Sequence, residues 1–298
     1  MNTPHIIEQL RKALKLSEFA KIVRHPSGDV NDVYRVQDPA AKVPYSSTQE
    51  DMDVAVKWLG EDNFSGINRT HQFVLQQQLY KLNIAPEPLW LSDDERFWVE
   101  QWQPNTQSCQ RNPETLANVL ARIHQLPVTA RPLNLTGRWQ HYMEVGQLAP
   151  DDALYLKAMN LRSSVLKSEQ DDEDLVLCHN DLLSSHVLCR QGDMPVVIDW
   201  EYAAMGNRYF DIASCCMINK LEPSTCQQLL ACYAKLLSIP LDIAQKKLAQ
   251  NKEIVSLTNA LWFEALNVSS VEANFASVAT RASAGAGVSK VRAQVTTN

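Results

Sequence analysis

The 298-residue chain is 45% hydrophobic and 21% charged, enough apolar material for one large domain or two smaller ones and too much for a disordered body. A formal net charge of -6 at pH 7, with no block of Lys or Arg, argues against nucleic acid or an anionic membrane as partner. Any bound phosphate must then be held by local groups. The seven cysteines show no CxxC pair and no zinc spacing, and they read as reduced, mostly buried thiols. Glu8, Arg11 and Lys12 interrupt the apolar residues near the start, and no apolar run reaches the length of a membrane span. The expectation is a cytoplasmic protein without a signal peptide.

In chain order, residues 6–15 predict a short helix and residues 19–23 a strand. A turn with Pro26 and Gly28 leads to a second strand over residues 33–36, completing a hairpin. Residues 37–51 read as a loop. In the third strand, residues 53–59, alternation sets Val54, Val56 and Trp58 on one face and Ala55, Lys57 and Leu59 on the other. Leu75, Leu79 and Leu82 recur at helical spacing, and that pattern stops at Asn83 with Pro86 beyond. Short apolar runs at residues 89–91 and 97–99 complete a small antiparallel sheet. From residue 113 helical patterns dominate, broken by strand-like runs at residues 175–178, 187–189 and 196–198. They resume near Tyr209 and continue to about Arg281, and residues 282–298 read as a disordered tail.

Chemistry concentrates in two stretches, His179-Asn180-Asp181-Leu182 and Ile198-Asp199-Trp200-Glu201-Tyr202-Ala203. Asp181 and Asp199 each follow an apolar strand-like run, which exposes a carboxylate at a strand end. A lone HxD triplet is weak evidence, because a loop with a capping Asp produces it too. Here it stands in a fixed order of elements, after a glycine-bearing hairpin turn (Ser27, Gly28, Asn31), a lysine on the third strand (Lys57) and a helix. That is the set phosphoryl transfer needs: positioning, a cationic clamp, a metal site and a base.

These residues, together with Ile84-Ala85-Pro86, Leu120-Ala121-Arg122-Ile123-His124 and Phe210-Asp211-Ile212-Ala213, resemble the aminoglycoside phosphotransferase and choline kinase superfamily. Within it they resemble the choline/ethanolamine kinase and thiamine kinase branch. The resemblance implies an α+β, protein-kinase-like two-lobed fold, with a small antiparallel-sheet N-lobe over residues 1–104 and a mainly helical C-lobe over residues 105–281. It implies ATP and Mg²⁺, with Mn²⁺ as an alternative, and a small alcohol as acceptor. Asp181 is the implied catalytic base, Asp199 the metal ligand and Lys57 the phosphate clamp, with Ser27, Gly28 and Asn31 over the nucleotide. His179 and Asp211 support the catalytic loop.

Two positions depart from the pattern. His186 stands where the family has a metal-binding Asn, and Gln72 where relatives place a Glu that pairs with the strand lysine. Glu201, Trp200 and Tyr202 suit a cationic acceptor, because a positive nitrogen is attracted to a carboxylate and to aromatic faces. Core packing is the competing reading of Trp200 and Tyr202, and the better one for Trp262 and His124. Acceptors of the aminoglycoside or sugar type, and a nucleotide-binding protein without turnover, are the alternatives.

Overall fold

The computed structural model describes residues 3–26, 32–42, 51–60, 65–104, 107–108, 112–170, 172–189 and 194–291, with backbone alone at residues 3, 107–108 and 270–291. The chain opens with α1 (Thr3–Ala13) and the strands β1 (Lys21–His25), β2 (Asp32–Lys42) and β3 (Asp51–Trp58), followed by α2 (Arg69–Lys81), β4 (Pro88–Leu91) and β5 (Phe97–Gln101). The five strands form one antiparallel sheet in the order β1-β2-β3-β5-β4. Ile6 and Leu10, one turn apart on α1, and Leu14 just past its end pack with Tyr34, Val36, Val54 and Val56. The opposite face of β3 carries Ala55 and Lys57 into a cleft. Val54, Val56 and Trp58 are buried together, so the alternation in the sequence is the alternation of the sheet.

Helix α2 begins at Asn68, whose side chain caps the His71 N–H. It ends in a Schellman arrangement: Asn83 takes φ 55°, Asn83 N–H bonds to the Tyr80 carbonyl and Ile84 N–H to the Leu79 carbonyl. This geometry explains why the apolar period stops at Asn83. Leu75 and Leu79 belong to the larger core cluster, which they share with the helices that follow.

Beyond β6 (Gln107–Ser108) come α3 (Pro113–His124), α4 (Leu135–Val145) and α5 (Ala153–Glu169). The strands β7 (Leu175–Cys178), β8 (Val187–Cys189), β9 (Val196–Val197) and β10 (Ala204–Asn207) follow, then α6 (Arg208–Ile218), α7 (Pro223–Leu236) and α8 (Leu241–Val291). β7 pairs with β10, and β8 lies between β6 and β9. Val197 N–H donates to the Ile84 carbonyl, and Arg122 donates to the carbonyls of Asn83 and Pro195. The turn after α2 is thereby tied to the loop before Asp199.

Three expectations are corrected. β2 continues to Lys42 through a bulge, because Asp38 is buried and accepts from Ser17 N–H, Ser17 Oγ–H and Ala40 N–H. Cys189 is disulfide-bonded, whereas Cys178, Cys215, Cys216, Cys226 and Cys232 are free thiols and Cys109 lies outside the described residues. Cys189 ends β8, opposite Gln107 of β6. Helix α8 runs on through Val291, past the expected end near Arg281. Alanines at 282, 284 and 286 favour helix without giving an apolar period. Residues 292–298 of the expected tail lie outside the described residues. Among the described residues no helix is long and apolar enough to cross a membrane.

Candidate active site

The two carboxylates are set by two left-handed backbone positions. Asn180, before Asp181, has φ 66°, and Asp199 has φ 68°. Asn and Asp tolerate this region better than other residues with a Cβ, so the sequence can afford both sharp bends without glycine. The first loop hangs on Asp211, which is fully buried in α6. Its Oδ2 accepts from His179 N–H at 2.8 Å, its Oδ1 accepts from Asn180 N–H at 2.7 Å, and His124 Nε2 lies 3.0 Å from Oδ2. His124 is held in turn by the Tyr233 hydroxyl, 2.6 Å from Nδ1. Burial alone would raise the Asp211 pKa, but these donors outweigh it and hold the carboxyl below its ordinary range.

His179 joins the two loops. Its Nε2 lies 3.1 Å from the Ile198 carbonyl, which can only accept, so the proton is on Nε2 and Nδ1 accepts from Asp181 N–H at 3.3 Å. The ring packs against Trp200 at 4.7 Å, tilted by 47°, and burial first, then His186, lowers its pKa to about 4. His186 follows the same logic with the nitrogens exchanged. Its Nδ1 lies 2.9 Å from the Asp181 carbonyl and must donate to it, which turns Nε2 toward Asp199 Oδ2 at 3.5 Å. Asp181, His186 and Asp199 each offer one ligand atom, and these lie within 4.8 Å of one another. Two carboxylates and an imidazole nitrogen this close together form a donor set that suits a divalent cation, and Mn²⁺ tolerates the nitrogen donor better than Mg²⁺ does.

Among the described residues Asp181 makes no side-chain ion pair, and burial, then Asp199, Glu201 and Asp211, push its pKa up to about 8. Asp199 goes the other way. Burial raises it, but Lys57 Nζ at 3.0 Å and His186 outweigh burial and hold it below the carboxylate range. Lys57 stays charged for the same reason: burial works against the ammonium, and Asp199, Glu100 and Glu201 outweigh it.

The structure brings together Lys57, Asp181, His186, Asp199, Glu201 and Tyr202 on a cleft of roughly 1090 Å³ between the sheet and the helices. Ser27, Gly28 and Asn31 lie outside the described residues, though His25 and Pro26 on the same hairpin reach the cleft. Gln72 does not reach Lys57. Its amide donates to the Ala203 carbonyl at 3.1 Å, and the α2 side chain nearest the lysine's surroundings is Gln76, one turn later. Trp200 is 1% exposed and donates to the Val197 carbonyl, so it packs in the core and lines no part of the cleft.

Glu201 is paired with Arg69 Nη1 at 2.8 Å, a partner that no sequence pattern announced. Tyr202 faces the cleft, and its hydroxyl accepts from Trp262 Nε1 at 2.9 Å. Trp262, read from its helical spacing as core, is therefore a wall of the cleft, beside Phe263 and Tyr142. The Arg138 guanidinium stands 5.8 Å from the Tyr202 ring centre.

Residues 21–234 match the phosphotransferase enzyme family. Protein LicA of Haemophilus influenzae is 27% identical over 221 residues, which cover 67% of this chain and 62% of that relative, so the chain spans less than two thirds of its length. The structure resembles that of choline kinase LicA from Streptococcus pneumoniae with a TM-score of 0.64, at 17% identity over 88% of this chain and 89% of that one. For choline kinase from Cryptosporidium parvum the TM-score is 0.61, at 16% identity over 89% and 90%. Identities this low speak for the fold: the two-lobed α+β arrangement, with the antiparallel sheet on one side of the cleft and the helices on the other.

Proposed function

The chain belongs to the phosphotransferase enzyme family, and from that premise we propose that it transfers the γ-phosphate of ATP to the hydroxyl of a small amino alcohol of the choline or ethanolamine class. The observation that carries this reading is the convergence of Asp181, His186 and Asp199 within 4.8 Å, with Lys57 reaching across from the sheet to 3.0 Å from Asp199. Asp199 and His186 are the residues that would hold a divalent ion, which when bound neutralises charge on the phosphates. Lys57 offers its ammonium to the same phosphates. Asp181 orients the acceptor hydroxyl and takes its proton, and its pKa of about 8 suits a base working near neutrality.

The amino alcohol class is favoured by charge. Burial first, then Asp199, Glu201 and Asp211, raise the pKa of Asp181, and a cationic acceptor beside it would favour the ionised form that takes the proton. Tyr202 and Trp262 present aromatic surface beside that charge, suited to a positive nitrogen. Glu201 contributes less than its sequence suggests, because Arg69 already neutralises it. The test is ADP release with Mg²⁺ or Mn²⁺ across choline, ethanolamine, thiamine, an aminoglycoside and a sugar. Turnover should be highest with an amino alcohol. Nucleotide binding without turnover for any pairing of metal and acceptor would overturn the proposal in favour of a non-catalytic nucleotide-binding protein.

A further inference from the structure

Lys57 stands between two carboxylates, with its Nζ 3.0 Å from Asp199 Oδ1 and 3.6 Å from Glu100 Oε1. The antiparallel register of β3 and β5 sets Glu100 opposite Ala55 and Trp98 opposite Lys57, so all four side chains share the face that borders the cleft. Glu100 is 3% exposed, and a carboxylate so deeply buried must have its lone pairs satisfied. Its Oε2 accepts from Trp98 Nε1 at 2.9 Å and from Gln76 Nε2 at 2.8 Å. The Gln76 amide is fixed in turn by the Pro86 carbonyl at 3.2 Å. With Oε2 saturated, Oε1 is left to Lys57.

The Lys57–Asp199 contact cannot persist unchanged during the reaction proposed above. Asp199 Oδ1 is occupied by the ammonium and Oδ2 faces His186, so a divalent ion taken up by Asp199 competes with Lys57 for the carboxylate and repels it. A buried ammonium that loses its counterion is costly. Among the described residues, Glu100 is the other carboxylate within ion-pair distance of Lys57.

We propose that Glu100 is the positioning residue that keeps Lys57 aimed at the nucleotide once Asp199 turns to the metal. The carboxylate expected from helix α2 is supplied instead by strand β5, and α2 contributes the amide of Gln76 that holds it. This inference rests on the phosphotransferase reading of the site. Glu100 stands outside the group of Asp181, His186 and Asp199 that could hold a metal, and it acts through Lys57.

The test is calorimetric titration with ATP, in Mg²⁺ and in EDTA, of wild type, Glu100→Gln, Lys57→Met and the double variant. Glu100→Gln should weaken Mg-ATP binding about tenfold or more, the scale of a lost charge-assisted contact. In EDTA, where Asp199 still holds Lys57, the loss should be several-fold smaller. In the Lys57→Met background Glu100→Gln should have no further effect. Gln76→Leu keeps the charge but removes one donor to it, so it should show the same metal-dependent split at reduced size. It carries the test alone if Glu100→Gln does not fold. Equal Mg-ATP affinity in wild type and in the folded variants would overturn the role of Glu100, as would an undiminished loss in the Lys57→Met background. Wild type that binds ATP under neither condition would overturn the phosphotransferase reading itself, a pattern distinct from the other two.

Discussion

Replacing Asp181 with Asn should make the metal-free protein more stable while removing its activity. The Asp181 carboxyl is partly buried among Asp199, Glu201 and Asp211, and its pKa stands at about 8 against an ordinary 3.8. A carboxyl with a raised folded pKa binds its proton more tightly in the folded state. Its cost to stability is therefore absent below pH 3.8, grows as pH rises, and levels off above about 8. Each pH unit from 3.8 to 7 is worth about 1.36 kcal/mol, a ceiling of about 4 kcal/mol at neutrality. Solvent reaches part of the group, so about 2 kcal/mol is the expected gain for Asp181→Asn at pH 7. Urea unfolding in EDTA at pH 5, 7 and 8.5 reads this as a midpoint that rises in the variant at unchanged slope, with the gap widening toward pH 8.5. Turnover should fall about a hundredfold or more, the scale of a lost base and orienting group. A variant no more stable than wild type at pH 8.5, or a gap that does not change with pH, would refute the reasoning.

His179 gives the opposite pH signature: it is buried and neutral with a pKa of about 4. Stability held by its neutral form is lost as pH falls from 6.5 to 4, by roughly 3 kcal/mol at most, and not further below. The unfolding midpoint of wild type should therefore drop relative to His179→Gln across that window, and parallel curves would count against it. Because His186 Nε2 faces Asp199 and can offer a nitrogen donor to a metal there, wild type should work at least as well with Mn²⁺ as with Mg²⁺. His186→Asn should restore preference for Mg²⁺, and an unchanged ratio of the two rates would remove His186 from the metal site. Arg69→Ala should cost about 3 kcal/mol by removing the cation paired with the largely buried Glu201, and Arg69→Leu with Glu201→Leu together should cost less than Arg69→Ala alone. A double variant worse than the single one would show that the pair is not the unit.

The fold was legible where one side of an element is buried. Val54, Val56 and Trp58 alternate because the sheet has an inside, and Leu75 and Leu79 repeat because α2 has a packed stripe. The two Asp loops were legible because short strands must end in exposed turns. Partner choice across the cleft was not. Glu100 lay one residue past the apolar run that marked its strand, Arg69 meets Glu201 across 132 positions of sequence, and Trp262 meets Tyr202 across 60. Placing Gln72 opposite Lys57 was off by one helical turn, a shift that spacing alone cannot detect because both residues lie on the same side of α2. Cys189 carried no spacing signal, since disulfide pairing follows tertiary proximity.

The most direct measurement follows the γ-phosphorus of ATP by ³¹P NMR, with wild type and Asp181→Asn, in the presence of choline or ethanolamine and Mg²⁺. The account predicts that with wild type the γ-phosphate signal is replaced by that of a phosphate monoester of the acceptor, with ADP formed in equal amount. Asp181→Asn should bind ATP and form neither product at a comparable rate. Inorganic phosphate in place of the monoester, or equal monoester formation by both proteins, would contradict it.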